Sequence, residues 1–156
     1  MRQSSRLNVP KKQRAHYSGK KKCHTHKAQL IVNQDTLEIV ATAFGRGRQH
    51  DFRLFKESYA GINPTIYCLG DSGYEGLHKL HANSDTPFKN SKHRQLTDGQ
   101  KACNSMLAKH RIYCEHVIGK LKIFRILKER YRNRRKRFGL RFNLIAALYN
   151  LSLSLN

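Results

Sequence analysis

Two carboxylates stand out in this 156-residue chain as groups able to do chemistry. Asp71 closes the apolar run "IYCLG" and is followed by Ser72, Gly73 and Tyr74. Ligands gather at the carboxyl ends of strands in α/β sheets because the loops open there. The plainer reading of that stretch is an Asx turn, with the aspartate capping its own backbone. Glu115 lies in "HRIYCEHVIGKLK", four residues after Arg111 and seven before Lys122. On a helix these three side chains fall within about 40° of one another, on one face. Taken alone, that pattern is ordinary i, i+4 pairing on a solvated surface, worth about 0.3 kcal/mol. Taken together, an acid at a strand end and an acid on a later helix suit phosphodiester chemistry. Carboxylates from separate elements can hold two Mg²⁺ ions about 4 Å apart, clamping the attacking and leaving oxygens. Arg111 and Lys122 would then hold the phosphates.

The elements that must position these residues are legible in the pattern. "KAQLIVN" (27–33) and "LEIVATAFG" (37–45), separated by "QDT", predict a β-hairpin. "HDFRLFKESYAG" places Phe52, Phe55 and Tyr59 at helical spacing, with Gly61 as its end. "TIYCLG" (65–70) predicts a third strand, and residues 72–98 read as loop with a short strand near Thr86–Lys89. A long helix then starts with Thr97 or Asp98 as cap, its apolar stripe carrying Cys114, Val117, Ile118, Leu121 and Phe124. The segment from Phe142 to Leu155 predicts a core helix. It is shorter than the ~20 residues a spanning helix requires and carries Asn143 and Asn150. The result is an α/β arrangement whose sheet lacks something at its beginning.

Composition narrows the partner. Lysine and arginine number 31 against 10 acidic residues, giving a formal net charge of +21. Such an excess repels itself and is best compensated by a polyanion, with nucleic acid the default and a membrane surface the weaker candidate. The run "KERYRNRRKRFGLR", with Arg134, Arg135, Tyr131 and Phe138, can follow a phosphate backbone while aromatics stack on bases. The competing reading is a solvated charge run. Lys20, Lys21 and Lys22 close a basic amino-terminal segment, residues 1–22, which has no apolar stretch of the secretory kind. Cys23, Cys68, Cys103 and Cys114 are scattered, which fits free thiols in a reducing cytosol. Cys23, His24 and His26 amount to half a metal site with no second half.

Several motifs resemble one family in order and spacing. They are "YSGKKKCHTHKAQLIV", "ATAFGRGRQHDFRLFKES", "GDSGYEG" and "EHVIGKLKIFRILKERYRNRRKRFGLRFNLIAALYN". From about Pro10 onward the chain resembles bacterial insertion-sequence transposases of the DDE superfamily, whose core is ribonuclease-H-like. The resemblance implies a mixed sheet with flanking helices, the first core strand missing or incomplete, and a partial catalytic domain over residues 23–156. It implies Asp71 and Glu115 as the second and third metal-binding acids, with two Mg²⁺ (or Mn²⁺) ions in the intact enzyme. Arg111 and Lys122 match the family's arginine and lysine around the glutamate, while a tyrosine of some relatives is Ala108 here. His50-Asp51 matches a supportive "HD" motif, and Asp51 is a weak candidate for a metal role. The family's first aspartate would fall at or about Met1, yet the first acidic residue is Asp35. The expectation is a cytoplasmic bacterial protein that acts on transposon ends and target DNA but is inactive alone. An upstream-frame product or a second copy would be its protein partner. The alternative is a non-catalytic, basic nucleic-acid-binding protein.

Overall fold

β-Branched and apolar residues alternate through 26–46, and alternation of that kind favours a pleated, half-buried ribbon. The computed structural model describes residues 17–18, 22–59, 61–91, 95–129 and 137–155. A two-residue antiparallel pair, β1 (Tyr17–Ser18) with β2 (Cys23–His24), precedes the predicted hairpin of β3 (His26–Val32) and β4 (Ile39–Arg46). The hairpin register runs from His26↔Arg46 to Val32↔Ile39, with an irregularity between Ile31 and Val32. Its turn is organised by Asn33, whose side-chain oxygen accepts from the N–H groups of Asp35 and Thr36. Leu37 there takes a left-handed φ of 61°.

The two faces of the hairpin are covered by different elements. On one face Leu30, Val32, Ile39 and Phe44 meet the core built by the long helix α2 (Asp98–Leu121) and the last helix α4 (Phe138–Ser154). Val117, Leu121, Phe142, Ile145, Ala146 and Tyr149 are its buried members. Full burial of side chains this size contributes roughly 1.5–3 kcal/mol each. On the other face, α1 (Asp51–Ser58) packs Leu54 over Gly45, where an added β-carbon would lie 3.1 Å from Leu54 Cδ2. Two asparagines of α4 tie it to β4. Thr42 donates its hydroxyl to Asn143 Oδ1, and Asn150 Oδ1 accepts from the N–H of Ile39 while its Nδ2 donates to the Ile39 carbonyl.

The third strand is shorter than predicted. β5 is only Cys68–Leu69, because Asn63 accepts from both the N–H and the hydroxyl of Thr65 and holds 63–66 in a turn. Its partner is the parallel strand β6 (Ser84–Asp85), not a strand at 86–89. Phe88 cannot join a ladder: its N–H and C=O are both taken by Asn104 of α2. The crossover from β5 to β6 is made by two 3₁₀ turns, Ser72–Tyr74 and Leu77–Lys79, and buried His81 closes it through a ring nitrogen on the Ile66 carbonyl. α2 starts as predicted, with Thr97 and Gln100 forming a reciprocal capping box. It stops at Leu121, so Phe124 leaves the apolar stripe and caps the four-residue helix α3 (Arg125–Lys128). The described residues form a mixed α/β structure of three two-stranded sheets with flanking helices, and no helix among them is long and apolar enough to cross a membrane.

α4 buries one side only. Leu140, Leu144, Leu148, Leu151 and Leu155 line its opposite side, between 47% and 78% exposed.

Candidate active site

Asp71 stands at the end of β5 because Gly70 allows a sharp exit. Gly70 is buried, and a β-carbon there would lie 3.0 Å from Thr86 Cγ2 and 3.1 Å from Tyr74 Cβ. The backbone at Asp71 is extended, and its Oδ1 accepts from the N–H of Ser72 at 2.6 Å. Tyr74 N–H donates to the Asp71 carbonyl, closing the turn. The capping interaction is therefore present. It leaves the carboxylate 56% exposed, and the same Oδ1 receives Nη2 of Arg111 at 3.1 Å.

Arg111 reaches Asp71 from the middle of α2, while the preceding residue, His110, meets Gln34 of the hairpin turn. Glu115 follows one turn later on the same face of α2, exposed and without a hydrogen bond or ion pair among the described residues. Lys122, exposed, is the C-cap of that helix, about 10 Å along the axis from Glu115. Cys114 lies beside them, its thiol pushed up by burial and partly brought back by Arg111. Of the predicted residues, Asp71 and Arg111 are thus brought into contact, while Glu115 stands one turn along α2 from that arginine. Lys22 is exposed in the turn just before β2, whereas Lys20, Lys21, Arg134 and Arg135 lie outside the described residues.

Asp51 belongs to the same place. It begins α1 and receives Nζ of Lys27 at 2.8 Å on Oδ1. Its Oδ2 would lie 3.1 Å from a β-carbon at Gly73, so α1 rests on the Asp71 turn. Phe55 of α1 adds an edge-on contact with the ring of Tyr74, centroids 6.0 Å apart. Burial, followed by the charges of Asp51 and Asp71, pushes the Tyr74 phenol up to about 12. The pairing of Lys27 with Asp51 was not legible in the sequence. The signal that existed was an acid just after the glycine-rich break that follows a strand.

Asp71 and Glu115 offer hard carboxylate oxygens, the donor type that Mg²⁺ takes, with one or two carboxylates and several waters completing its shell. The donor chemistry therefore fits. No group of three or more histidine, cysteine, aspartate or glutamate side chains able to hold a metal gathers among the described residues. Comparison with known proteins identifies the family. Residues 4–150 match the DDE superfamily endonuclease family. The chain is 47% identical over 152 residues to the probable transposase for insertion sequence element IS702 of Microchaete diplosiphon, covering 97% of this chain and 55% of that protein. It thus spans about half the length of that relative. No solved structure matches it.

Proposed function

The chain belongs to the DDE superfamily endonuclease family, and on that premise we propose that it is part of an insertion-sequence transposase that works on DNA. The observation that carries the reading is the ion pair of Arg111 with Asp71 at the carboxyl end of β5, with Glu115 one helical turn beyond that arginine, in a chain of net charge +21. In this reading Asp71 and Glu115 hold the metal, Mg²⁺ or Mn²⁺, in a two-ion site. Metal bound there supplies Lewis-acid activation of the nucleophile and neutralises charge building at phosphorus. Arg111 and Lys122 position phosphates of the scissile strand, and Lys22 extends the contact along the backbone. Water first, and the freed 3′ hydroxyl second, is the nucleophile, with no covalent link to the protein. The DNA bound is the transposon end and then the target.

The order of elements supports a ribonuclease-H-like core: an antiparallel hairpin, a helix, and a parallel strand pair, followed by the acid-bearing helix. A three-acid site is not complete within these residues, since no acid precedes Asp35. We therefore expect residues 1–156 by themselves to bind DNA and to nick it poorly. The test is nicking of supercoiled plasmid by the purified chain with Mg²⁺, beside Asp71→Ala. Efficient cleavage by residues 1–156 would overturn the expected inactivity, and cleavage that survives Asp71→Ala would overturn the site. DNA binding indifferent to both Mg²⁺ and Asp71→Ala would favour a plain basic binder, the reading that charge alone allows.

A further inference from the structure

We propose that Arg111 is a built-in counter-ion for Asp71, displaced when metal binds, and that its release is what delivers the guanidinium to DNA. The inference rests on the reading of Asp71 as a metal ligand.

Three observations lead to it. First, Asp71 Oδ1 already has two partners, the N–H of Ser72, which donates to it at 2.6 Å, and the charged Arg111, whose Nη2 lies 3.1 Å away. A guanidinium does not give up its proton in a protein, so it stays a cation wherever it sits. A divalent ion on the same carboxylate would meet that fixed positive charge at close range, and the two repel. Second, Arg111 is the more buried side chain, 28% exposed against 56% for Asp71, so the aspartate is the more accessible of the two to an ion from solvent. Third, Arg111 ignores the acid of its own helix. Glu115 follows it at i+4 and stays unpaired among the described residues. Cation-before-acid is the weaker order for such pairs on a helix, which leaves the guanidinium to the stronger partner across the junction. The metal-free site is thus one acid neutralised by an internal cation and one acid open to water.

Metal binding and DNA binding then become linked. Metal takes Asp71 and frees Arg111, which lies on the same face of α2 as Lys122 and can reach the same DNA strand. By reciprocity, DNA that captures Arg111 strips the counter-ion from Asp71 and favours metal by the same factor.

The experiment is Mn²⁺ binding to the full 156-residue chain, read from the electron paramagnetic resonance of free Mn²⁺. Wild type is compared with Arg111→Gln, Arg111→Met, Asp71→Asn and Lys101→Gln. Lys101 is one cation removed on the same helix, about 15 Å from position 111, and controls for the general loss of positive charge. Arg111→Met keeps the aliphatic stem, so at least one folded variant, checked by circular dichroism, decides the outcome. We expect both Arg111 variants to bind Mn²⁺ about fivefold tighter or more, Lys101→Gln to stay within about twofold of wild type, and Asp71→Asn to lose the site. In a second reading, affinity for a short DNA duplex falls on Arg111→Gln when Mn²⁺ is present and hardly changes in EDTA. Unchanged or weaker Mn²⁺ binding by the Arg111 variants, with Asp71→Asn still losing the site, overturns the counter-ion and leaves the metal site standing. Equal binding by wild type and Asp71→Asn overturns the metal reading itself. No Mn²⁺ binding by either wild type or the Arg111 variants overturns both.

Discussion

Asp51 and Gly73 are in contact: a β-carbon at position 73 would stand 3.1 Å from Asp51 Oδ2. That contact seats the start of α1 on the turn that carries Asp71, and Lys27 holds the other oxygen of the same carboxylate, Oδ1. A methyl group at 73 must push the carboxylate aside or shift the turn. Gly73→Ala is therefore expected to cost about 1–2 kcal/mol, measured as a lower urea midpoint with unchanged slope.

Gly119 gives the opposite expectation. It lies inside α2, two residues from the buried Val117, yet a β-carbon there would meet nothing within 4 Å. By helical spacing it falls on the face of Arg111, Glu115 and Lys122, at about 80° from the first of them. A mid-helix glycine costs roughly 0.5–1 kcal/mol against alanine and is useful where another backbone must come close. Gly119→Ala is expected to raise stability by that amount while lowering affinity for duplex DNA. Equal or better DNA binding by this variant would show that the α2 face is not approached.

Two asparagines each serve both backbone groups of one distant residue, and burial predicts that they matter unequally. Asn150 closes Ile39, which is 7% exposed, and Asn104 closes Phe88, which is 48% exposed. Water can replace the amide at Phe88 but not at Ile39. Asn150→Ala is expected to cost about 2–4 kcal/mol, Asn104→Ala about 1 kcal/mol or less. Denaturant melts of the two variants under one buffer decide this.

The tyrosines set an alkaline limit. Burial, then the hydrogen bond donated to Asp85, pushes Tyr67 up to about 12, and Tyr74 reaches about 12 through burial and the neighbouring acids. In the unfolded chain both ionise near their ordinary value of 10.0. The folded state favours the neutral phenols, so their contribution is complete below pH 10 and drains away as pH rises through about 12. The urea midpoint should fall between those values, and Tyr74→Phe should shrink the fall. A flat midpoint across that interval would contradict the hydrogen bond of Tyr67 to Asp85 and the half-buried setting of Tyr74.

What the sequence made legible were features set locally. The hairpin followed from alternation, the start of α2 from a cap at Thr97 or Asp98, and α4 from its apolar run. The positions that escaped are those decided by distant partners. Nothing near Thr86–Lys89 announces that Asn104 will take the backbone of Phe88, and nothing near Ile66 announces the buried ring of His81. The site divides in the same way. Asp71 and Glu115 stood out by position, but Arg111 on Asp71 and Asp51 under Gly73 are contacts between elements far apart in the chain. The spacing of Arg111 and Glu115 suggested that they would pair, and tertiary placement gave the arginine to Asp71 instead.

The leucines along the outer side of α4 give this chain two surfaces that answer ionic strength in opposite senses. Dilute salt leaves its cations unscreened and keeps copies apart by mutual repulsion. Concentrated sulfate or phosphate would quench that repulsion and, by exclusion from apolar surface, make exposed Leu144, Leu148 and Leu151 less welcome in water. Buffers that release the protein from nucleic acid during purification are thus the ones in which its solubility depends on this helix. Replacing those leucines with glutamine would widen the range of salt in which it can be handled.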